Sequence, residues 1–350
     1  MSRMIIAMMV PILVIVLTAL ALSGPAEPMP ALYTPADCTR VKVVDRRLRD
    51  IEGIEDIVLL PNQDVYFTAY NRRYAELPAR GLYRTTLEAL AGPQPIAVEP
   101  VPGIARAVDS LYPHGFDIDR TGQRLAFVNR PAEGTAEVVW GTLSYAGFLP
   151  AGRWSGPSTC RANDVLWRGA DLLVSIDRES CESSMNDLWP GSETGSLVRV
   201  GISGATQVAD GLAFANGMAL NGGRVLVAET RGDRLVDPAS GETVPLPGGP
   251  DNLSPGPLGT IIIAVHVDLF DYWLYTLGWS GSAPTRILSY DPRSGEITAL
   301  LDDRRGEAFS GGTVGVMALN RLVVGSAYDR GLLLCGPDIA ASRAQGRTGG

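Results

Sequence analysis

The sequence has few of the side chains that most catalytic and metal sites use. It contains two histidines and four cysteines in 350 residues. No two cysteines form a Cys-x-x-Cys pair, which argues against a zinc site or a redox-active dithiol. Basic residues form no cluster and the net charge is −8, so nucleic acid is not an expected partner. The one near match to a serine nucleophile elbow, Gly278-Trp-Ser-Gly-Ser282, lacks the closing glycine.

What the chain does contain is a repeated strand–turn–strand pattern. Six copies begin at Gly53, His114, Asn163, Asn216, Asp251 and Gly312. The repeat is about 52 residues long, close to the period that marks propellers and solenoids. Each copy reads as a hairpin with a Gly- or Asn-rich turn, and the sequence between copies has room for two further strands. The pattern predicts an all-β, six-bladed β-propeller with four antiparallel strands per blade.

The ends of the chain differ in composition from the repeats. Residues 4–22 are an apolar run after Ser2-Arg3, which fits a signal peptide or an uncut membrane anchor, in either case helical, over residues 1–23. We expect a Pro/Ala-rich linker over 24–37, the propeller over 38–335 and a disordered polar tail over 336–350. The protein is therefore expected to be exported, as a periplasmic, secreted or anchored protein that touches membrane only through an uncleaved N-terminal segment.

The cysteines agree with an oxidising compartment. A propeller brings its first and last strands together, so Cys38 and Cys335 are the pair expected to close the ring. Cys160 and Cys181 would then bracket the third hairpin. The alternative is four buried free thiols.

In a propeller the first strands of the blades line the central channel, so the residues that open the hairpins converge. Five copies open on a polar side chain with a free oxygen or imidazole nitrogen. A hard divalent cation prefers carboxylate and amide oxygens, and no thiolate belongs to this group, so calcium is favoured over zinc or copper. The expected ligands of one open calcium site are Glu55, Asn163, Asn216, Asp251 and Asn252.

Two of these residues are followed by an aspartate. Neighbouring side chains on a strand point in opposite directions. We therefore expect Asp56 and Asp164 to face deeper into the channel, where they would suit a second, structural ion in a closed site. The alternative is that such Asp and Asn residues only cap turns.

These motifs resemble the paraoxonase/arylesterase family of calcium-dependent six-bladed propellers and, more distantly, the SMP-30/gluconolactonase-like propellers. The resemblance runs from Cys38 to Cys335. It is carried by Gly-Ile-Glu55-Asp56, Pro-His114-Gly, Asn163-Asp164, Phe-Ala-Asn216-Gly and Asp251-Asn252. It implies two calcium ions. One is catalytic and is held by the open set of ligands, Glu55, Asn163, Asn216, Asp251 and Asn252. The other is structural and is held by the closed set, Asp56, Asp164 and the backbone carbonyl of Phe116. It also implies that His114 is the general base.

The chain departs from that family at one place. The histidine that usually supports the base is replaced by Arg130, which cannot relay a proton and would lower the pKa of a nearby imidazole. A single base is left, either His114 or a carboxylate such as Asp251. Arg130 and His266 are candidates for the substrate wall, with simple packing as the alternative for His266.

The sequence thus predicts a calcium-dependent hydrolase of small hydrophobic lactones or aryl esters. Calcium would polarise the substrate carbonyl for attack by water. An aromatic insertion over residues 268–279 would either cover the channel mouth, pack on a neighbouring loop or contact a membrane. A sugar-acid lactonase and a non-catalytic, calcium-stabilised binding propeller are the alternatives.

Overall fold

The computed structural model describes residues 27–73, 79–131, 135–182 and 192–337. The expected signal peptide or anchor lies outside these residues, as does the expected tail from residue 338 onward. Among the described residues, no helix has the length and hydropathy needed to cross a bilayer.

The secondary structure is mostly β and follows the repeats. The N-terminal segment contributes β1 (Ala31–Tyr33), a 3-10 helix (Pro35–Asp37), β2 (Cys38–Val41) and β3 (Val43–Val44). The first repeat contains β4 (Glu52–Leu59), β5 (Asp64–Ala69), β6 (Gly81–Thr86), helix α1 (Leu87–Leu90), β7 (Ile96–Ala97) and β8 (Glu99–Pro100). The second contains a 3-10 helix (Ile104–Arg106), β9 (Pro113–Ile118), β10 (Arg124–Asn129), β11 (Glu137–Ser144) and β12 (Gly147–Trp154).

The later repeats continue the same order. The third contains a 3-10 helix (Thr159–Arg161), β13 (Ala162–Arg168), β14 (Asp171–Ile176), β15 (Gly195–Gly201) and β16 (Gly204–Leu212). The fourth contains β17 (Ala215–Asn221), β18 (Arg224–Glu229), β19 (Arg234–Val236) and β20 (Thr243–Pro245). The fifth contains β21 (Gly249–Pro255), a 3-10 helix (Pro257–Gly259), β22 (Ile261–His266), α2 (Leu269–Thr276), β23 (Thr285–Asp291) and β24 (Glu296–Asp303), and the sixth contains β25 (Val314–Ala318), β26 (Arg321–Arg330) and β27 (Leu332–Cys335).

Within the second to sixth repeats, successive strands pair antiparallel. In the first repeat β4, β5, β6 and β8 pair in that order, whereas β7 pairs parallel with β3, and β4 also pairs with β26 of the sixth repeat. The last repeat has only three strands of its own, and β2 from the other end of the chain pairs with β27 to complete it. The first strands β4, β9, β13, β17, β21 and β25 contact one another in that order, and β25 contacts β4. The first strands therefore surround a common axis.

Apolar side chains fill the spaces between neighbouring sheets. Phe67 and Val323 pack in one such cluster, between the first and last repeats. Phe127 lies in the next cluster with Leu82, and the pattern continues around the axis. Burying a side chain of this size stabilises the fold by about 1.5–3 kcal/mol, so the sheets are held together face to face, and the axis is left to polar residues.

The N-terminal segment differs from the expected linker. Residues 31–33 form β1, which pairs parallel with β24 at the outer edge of the fifth sheet. Tyr33 is buried there, and its hydroxyl donates to the carbonyl of Asn320 at 2.6 Å. The short apolar sequence Ala-Leu-Tyr satisfies an otherwise open strand edge, which composition alone did not reveal.

Two disulfides are present among the described residues, Cys38–Cys335 and Cys160–Cys181, the pairs that the sequence analysis expected. The first joins directly opposed residues of β2 and β27 and spans 297 residues of sequence. Both bonds fit an oxidising compartment.

The closing disulfide is predicted to stabilise the fold more than the local one. Cross-linking removes unfolded-state entropy in proportion to the logarithm of the loop length, and the second disulfide spans only 21 residues. Replacing Cys38 and Cys335 by serine should lower the free energy of unfolding by about 3–5 kcal/mol, and replacing Cys160 and Cys181 by about 2–3 kcal/mol. Denaturant unfolding followed by tryptophan fluorescence measures both. An equal or reversed ranking would contradict the prediction.

Candidate functional site at the channel axis

The polar residues at the axis lie in breaks of the strand register. In β4 the pairing with β5 shifts between Ile54 and Ile57, and the residues inside the break are Glu55 and Asp56. The same kind of shift occurs at the axial residues of β9, β13, β17 and β21, which include His114, Asn163, Asn216 and Asp251. The pairing of β25 with β26 has no such shift. A bulge changes the direction of its side chains and leaves backbone groups unpaired. These breaks therefore direct the polar residues toward the axis.

Two glycines show how closely the first strands approach each other there. A Cβ on Gly115 would lie 2.6 Å from the carbonyl oxygen of Asn163 and 2.7 Å from Asp164 Oδ1. A Cβ on Gly217 would lie 2.6 Å from the Cα of Asn252. Only glycine fits at either position without backbone movement. The His114 and Asn163 strands are thus in direct contact at the site, as are the Asn216 and Asp251 strands.

Glu55, His114 and Arg72 form the most tightly coupled group. Glu55 Oε2 lies 2.6 Å from His114 Nδ1 and in ion-pair contact with Arg72 Nη2. The same guanidinium nitrogen lies 2.9 Å from Nδ1 and 3.3 Å from Nε2 of His114. Both Glu55 and His114 are buried.

These contacts shift the pKa of each acid and base. Burial alone would raise the pKa of Glu55, but the charges of Arg72 and His114 outweigh it and hold that pKa at about 2. Burial lowers the pKa of His114, and Arg72 adds to this effect against Glu55, so the pKa falls to about 4. At neutral pH the group is therefore a carboxylate, a guanidinium and a neutral imidazole.

Asp251 and His266 form a second buried pair. His266 Nε2 lies 2.8 Å from Asp251 Oδ2, and its ring stacks on Tyr272 with centroids 3.6 Å apart. An ionised Asp251 selects the tautomer with the proton on Nε2. Nδ1 is then left as an acceptor, and it is buried without a hydrogen-bond partner. His266, a candidate for the substrate wall, belongs to the polar cluster itself.

The amides are oriented by their neighbours. The Thr230 hydroxyl donates to the carbonyl of Pro250 at 2.7 Å, so its oxygen accepts from Asn216 Nδ2 at 3.1 Å. That arrangement turns Asn216 Oδ1 away, and this buried oxygen has no hydrogen-bond partner. Asn252 Nδ2 donates to the backbone carbonyl of Glu55 at 3.1 Å. An unpaired buried acceptor costs about 1–3 kcal/mol, so Asn216 Oδ1 indicates a missing partner.

The aspartates that follow the open set bridge one repeat to the next. Asp56 Oδ2 accepts from the backbone N–H of Phe116 at 2.9 Å, and Asp164 Oδ2 accepts from that of Met218 at 2.9 Å. Asp117, which the sequence analysis did not select, accepts from the N–H of Trp167 at 2.8 Å. The structure thus gives Phe116 a donor role toward Asp56, while a ligand role for its carbonyl remains a prediction.

These carboxyl groups are short of positive charge. Burial and the negative charges of Glu55 and Asp117 raise the pKa of Asp56, and burial together with Asp56 raises that of Asp164. Burial also raises the pKa of Asp117 to about 7. Carboxyls in this condition either hold protons or have a cation for a neighbour.

Arg130, the departure from the family pattern, is neutralised locally. Its guanidinium donates to the carbonyl of Ala162 at 3.0 Å and to Asp177 Oδ2 at 3.3 Å. Burial lowers its pKa, and Asp177 opposes that effect. The residue ties the second repeat to the third, and its expected place in a substrate wall remains a prediction.

The aromatic insertion folds as α2 beside the site. The Asp268 side chain caps its N-terminus by accepting from the N–H groups of Phe270 and Asp271. Tyr272 covers His266, and Arg73 lies 4.1 Å from the ring centre of Tyr275. Of the three alternatives for the insertion, packing against neighbouring residues is observed, and a role in covering the channel mouth remains a prediction.

Sequence reasoning missed Arg72, Tyr272 and Asp117, together with the pairing of His266 with Asp251. The Asn71-Arg-Arg73 sequence follows β5 and belongs to none of the repeat motifs. A buried carboxylate such as Glu55 needs a cation nearby, and this requirement was the one signal that could have singled out an arginine in that loop.

The axial side chains suit a hard cation better than a transition metal. Among the described residues, no group of three or more His, Cys, Asp or Glu side chains has the arrangement of a metal site. The open set combines two carboxylates with amides, and its Asn216 oxygen lacks a partner. Oxygen donors of this kind are those that calcium prefers. Arg72 does not fit a metal site in the observed geometry, since it already contacts Glu55.

No family model matches the chain, and no curated protein matches its sequence. Among solved structures, the chain is similar to a gluconolactonase, XC5397 from Xanthomonas campestris, with 15% identity, a TM-score of 0.51 and coverage of 90% of this chain and 99% of that one. It also matches a protein provisionally assigned as a gluconolactonase, at 14% identity and a TM-score of 0.47 over 89% and 94% of the chains. The β-propeller domain of the Trilobed protease from Pyrococcus furiosus matches at 11% identity and a TM-score of 0.43 over 81% and 82%. Identities this low show the propeller fold alone.

Tight contact between the first strands predicts that Gly115 tolerates no side chain. Gly115→Ala should lower the free energy of unfolding by about 1–3 kcal/mol, because the new methyl group overlaps Asn163 and Asp164. Gly281→Ala is the control, since a Cβ there meets nothing within 4 Å. Thermal unfolding of both variants measures the difference. Equal stability of the two would show that the strands are farther apart at the axis.

Proposed function

We propose that this protein is an exported, calcium-dependent hydrolase of lactones or aryl esters, built on a six-bladed propeller. The observation that carries the proposal is that polar residues lie in register breaks on the first strands of successive repeats, and these strands contact one another in a cycle. One of these residues, Asn216, has a buried oxygen without a hydrogen-bond partner. The cycle of contacts among the first strands supports the blade count, and the two disulfides support export.

Lactones are the first substrate class to test. One structural neighbour, with a TM-score of 0.51, is a gluconolactonase, and the match covers 90% of this chain. The resemblance of the axial motifs to paraoxonases extends the class to aryl esters. The aromatic side chains of Tyr272, Tyr275 and Tyr328 near the axis favour a substrate with an apolar or aromatic part.

Two sets of residues would hold calcium. The open set is Glu55, Asn163, Asn216, Asp251 and Asn252, and the closed set is Asp56, Asp164 and the backbone carbonyl of Phe116. Calcium bound at the open set would supply a Lewis acid for the substrate carbonyl. At the closed set a cation would offset the burial and the neighbouring negative charges that raise the pKa of Asp56 and of Asp164.

His114 would take the proton from the attacking water. Its lowered pKa keeps it neutral at physiological pH, which is the form that a base requires. If the proton is on Nδ1, which lies 2.6 Å from Glu55 Oε2, Nε2 would be the accepting atom once Arg72, now 3.3 Å from Nε2, has moved away. The carboxylate then orients the ring, as the acidic partner does in other histidine-based sites.

The second histidine of the family has no equivalent at Arg130, whose charge is held by Asp177. His266 supplies another imidazole near the axis, and its Nδ1 is an unpartnered acceptor. Because Nε2 is committed to Asp251, His266 orients that carboxylate and holds a proton against it.

A non-catalytic binding propeller is the second candidate, and Arg72 favours it. Its guanidinium already neutralises Glu55, so the axial group could be stable without metal. Chelation of calcium distinguishes a calcium-dependent hydrolase from a non-catalytic binding propeller.

Purified protein with calcium should hydrolyse phenyl acetate, a medium-chain aliphatic lactone or gluconolactone. Removal of calcium by EGTA should abolish turnover, and added calcium should restore it, because the proposed reaction depends on calcium to polarise the substrate carbonyl. The ratio of rates among the three substrates distinguishes the apolar from the sugar-acid class. Activity that survives EGTA would contradict the metal-dependent reaction, and no activity on any of them would favour the binding propeller.

Asn216→Ala should lower kcat/KM by at least about 10- to 100-fold, a loss typical of damage to a metal site. It removes the unpaired oxygen while leaving β17 and its neighbours in place. Asn221→Ala, at the other end of the same strand, is the matched control and should keep the wild-type rate. Steady-state kinetics on phenyl acetate or the lactone decides. A fully active Asn216→Ala would remove this residue from the site.

A further inference from the structure

Glu55 already has a cation in this structure. Arg72 Nη2 contacts Oε2, the same oxygen atom that lies 2.6 Å from His114 Nδ1. The Arg72 side chain is 27% exposed and the Glu55 side chain 8%. A buried carboxylate without a counter-charge is strongly disfavoured, so Arg72 provides the compensation that Glu55 requires when no metal is bound.

A metal ion and this guanidinium cannot both use Glu55 Oε2 in the observed geometry. Calcium binds carboxylate oxygens at about 2.3–2.6 Å, within the space that Arg72 Nη2 and His114 now occupy around Oε2. Two positive charges at that separation, away from bulk water, repel each other strongly. One of them has to leave.

Arg72 is the group that is free to move. It lies in a bend after β5, outside regular secondary structure, whereas Glu55 is fixed in the bulge of β4. Its neighbour Asn71 is held separately, because Asn71 Nδ2 donates to Glu52 Oε2 at 2.8 Å. A rotation of the Arg72 side chain alone would therefore release Glu55 without disturbing the strand.

The contact with His114 extends the effect to the candidate base. The same Arg72 Nη2 lies 2.9 Å from Nδ1 and 3.3 Å from Nε2 of His114. Displacement of Arg72 from Glu55 therefore also removes a positively charged neighbour from both ring nitrogens of His114.

We propose that Arg72 is an internal counter-ion that competes with the divalent cation for Glu55, so that cation binding displaces its guanidinium from Glu55 and His114. This inference rests on the proposed calcium site. The displacement makes the affinity for calcium lower than the ligands alone would give, and it couples metal binding to the removal of a positive charge from beside His114.

Calcium binding to full-length protein stripped with chelator tests this by isothermal titration calorimetry with calcium chloride. Arg72→Met removes the competing charge and should lower the Kd of the open site by about tenfold or more. Arg72→Lys keeps the charge and should bind close to wild type. Arg73→Met is the matched control, since Arg73 lies in the same bend but contacts Tyr275 and Tyr328, and it should bind as wild type does.

Thermal unfolding supplies a second measurement. Without calcium, Arg72→Met should melt below wild type because Glu55 loses its partner, and calcium should raise its Tm by more than it raises that of wild type. An unchanged or weaker calcium affinity in Arg72→Met, with wild-type binding intact, would overturn the competition alone. Failure of both proteins to bind calcium would overturn the calcium site and this inference together.

Discussion

Compensation of buried charge at the axis is the constraint on which the rest of this structure depends. The first strands carry carboxylates and amides into a place surrounded by apolar layers, where an unpaired charge is strongly disfavoured. The charge of Glu55 is compensated by Arg72, while His114 contacts Glu55 and His266 contacts Asp251. Asp56 and Asp164 have backbone N–H donors but no cation, and the unpaired oxygen of Asn216 lies among the same strands. Each of these features follows if a hard cation belongs to the axis.

The fold tolerates buried polar groups at the axis because its stability comes from the apolar layers and from the joined ends of the chain. Apolar clusters lie between neighbouring sheets all around the ring. The pairing of β2 with β27 and the Cys38–Cys335 disulfide tie the two ends of the chain together. Strain and unsatisfied groups in the bulges can therefore persist, as they commonly do at functional sites.

The sequence was enough to predict the repeats and the β-rich architecture, because period and turn chemistry encode them directly. It was not enough for the bulges, since a register shift depends on both partners of a strand pair. Arg72 was missed because it reaches Glu55 from a bend, where no periodic pattern fixes the direction of a side chain. The strand Ala31–Tyr33 was not predicted because composition does not show that the open edge of β24 lies beside it and can pair with it.

The most direct test of this account is the anomalous scattering of a crystal grown in calcium. We expect one peak within coordination distance of Glu55, Asn163, Asn216, Asp251 and Asn252. A second peak should lie between Asp56 and Asp164. An axis without anomalous density, with Arg72 still in contact with Glu55, would show that the arginine is the permanent partner of the carboxylate and would contradict the account.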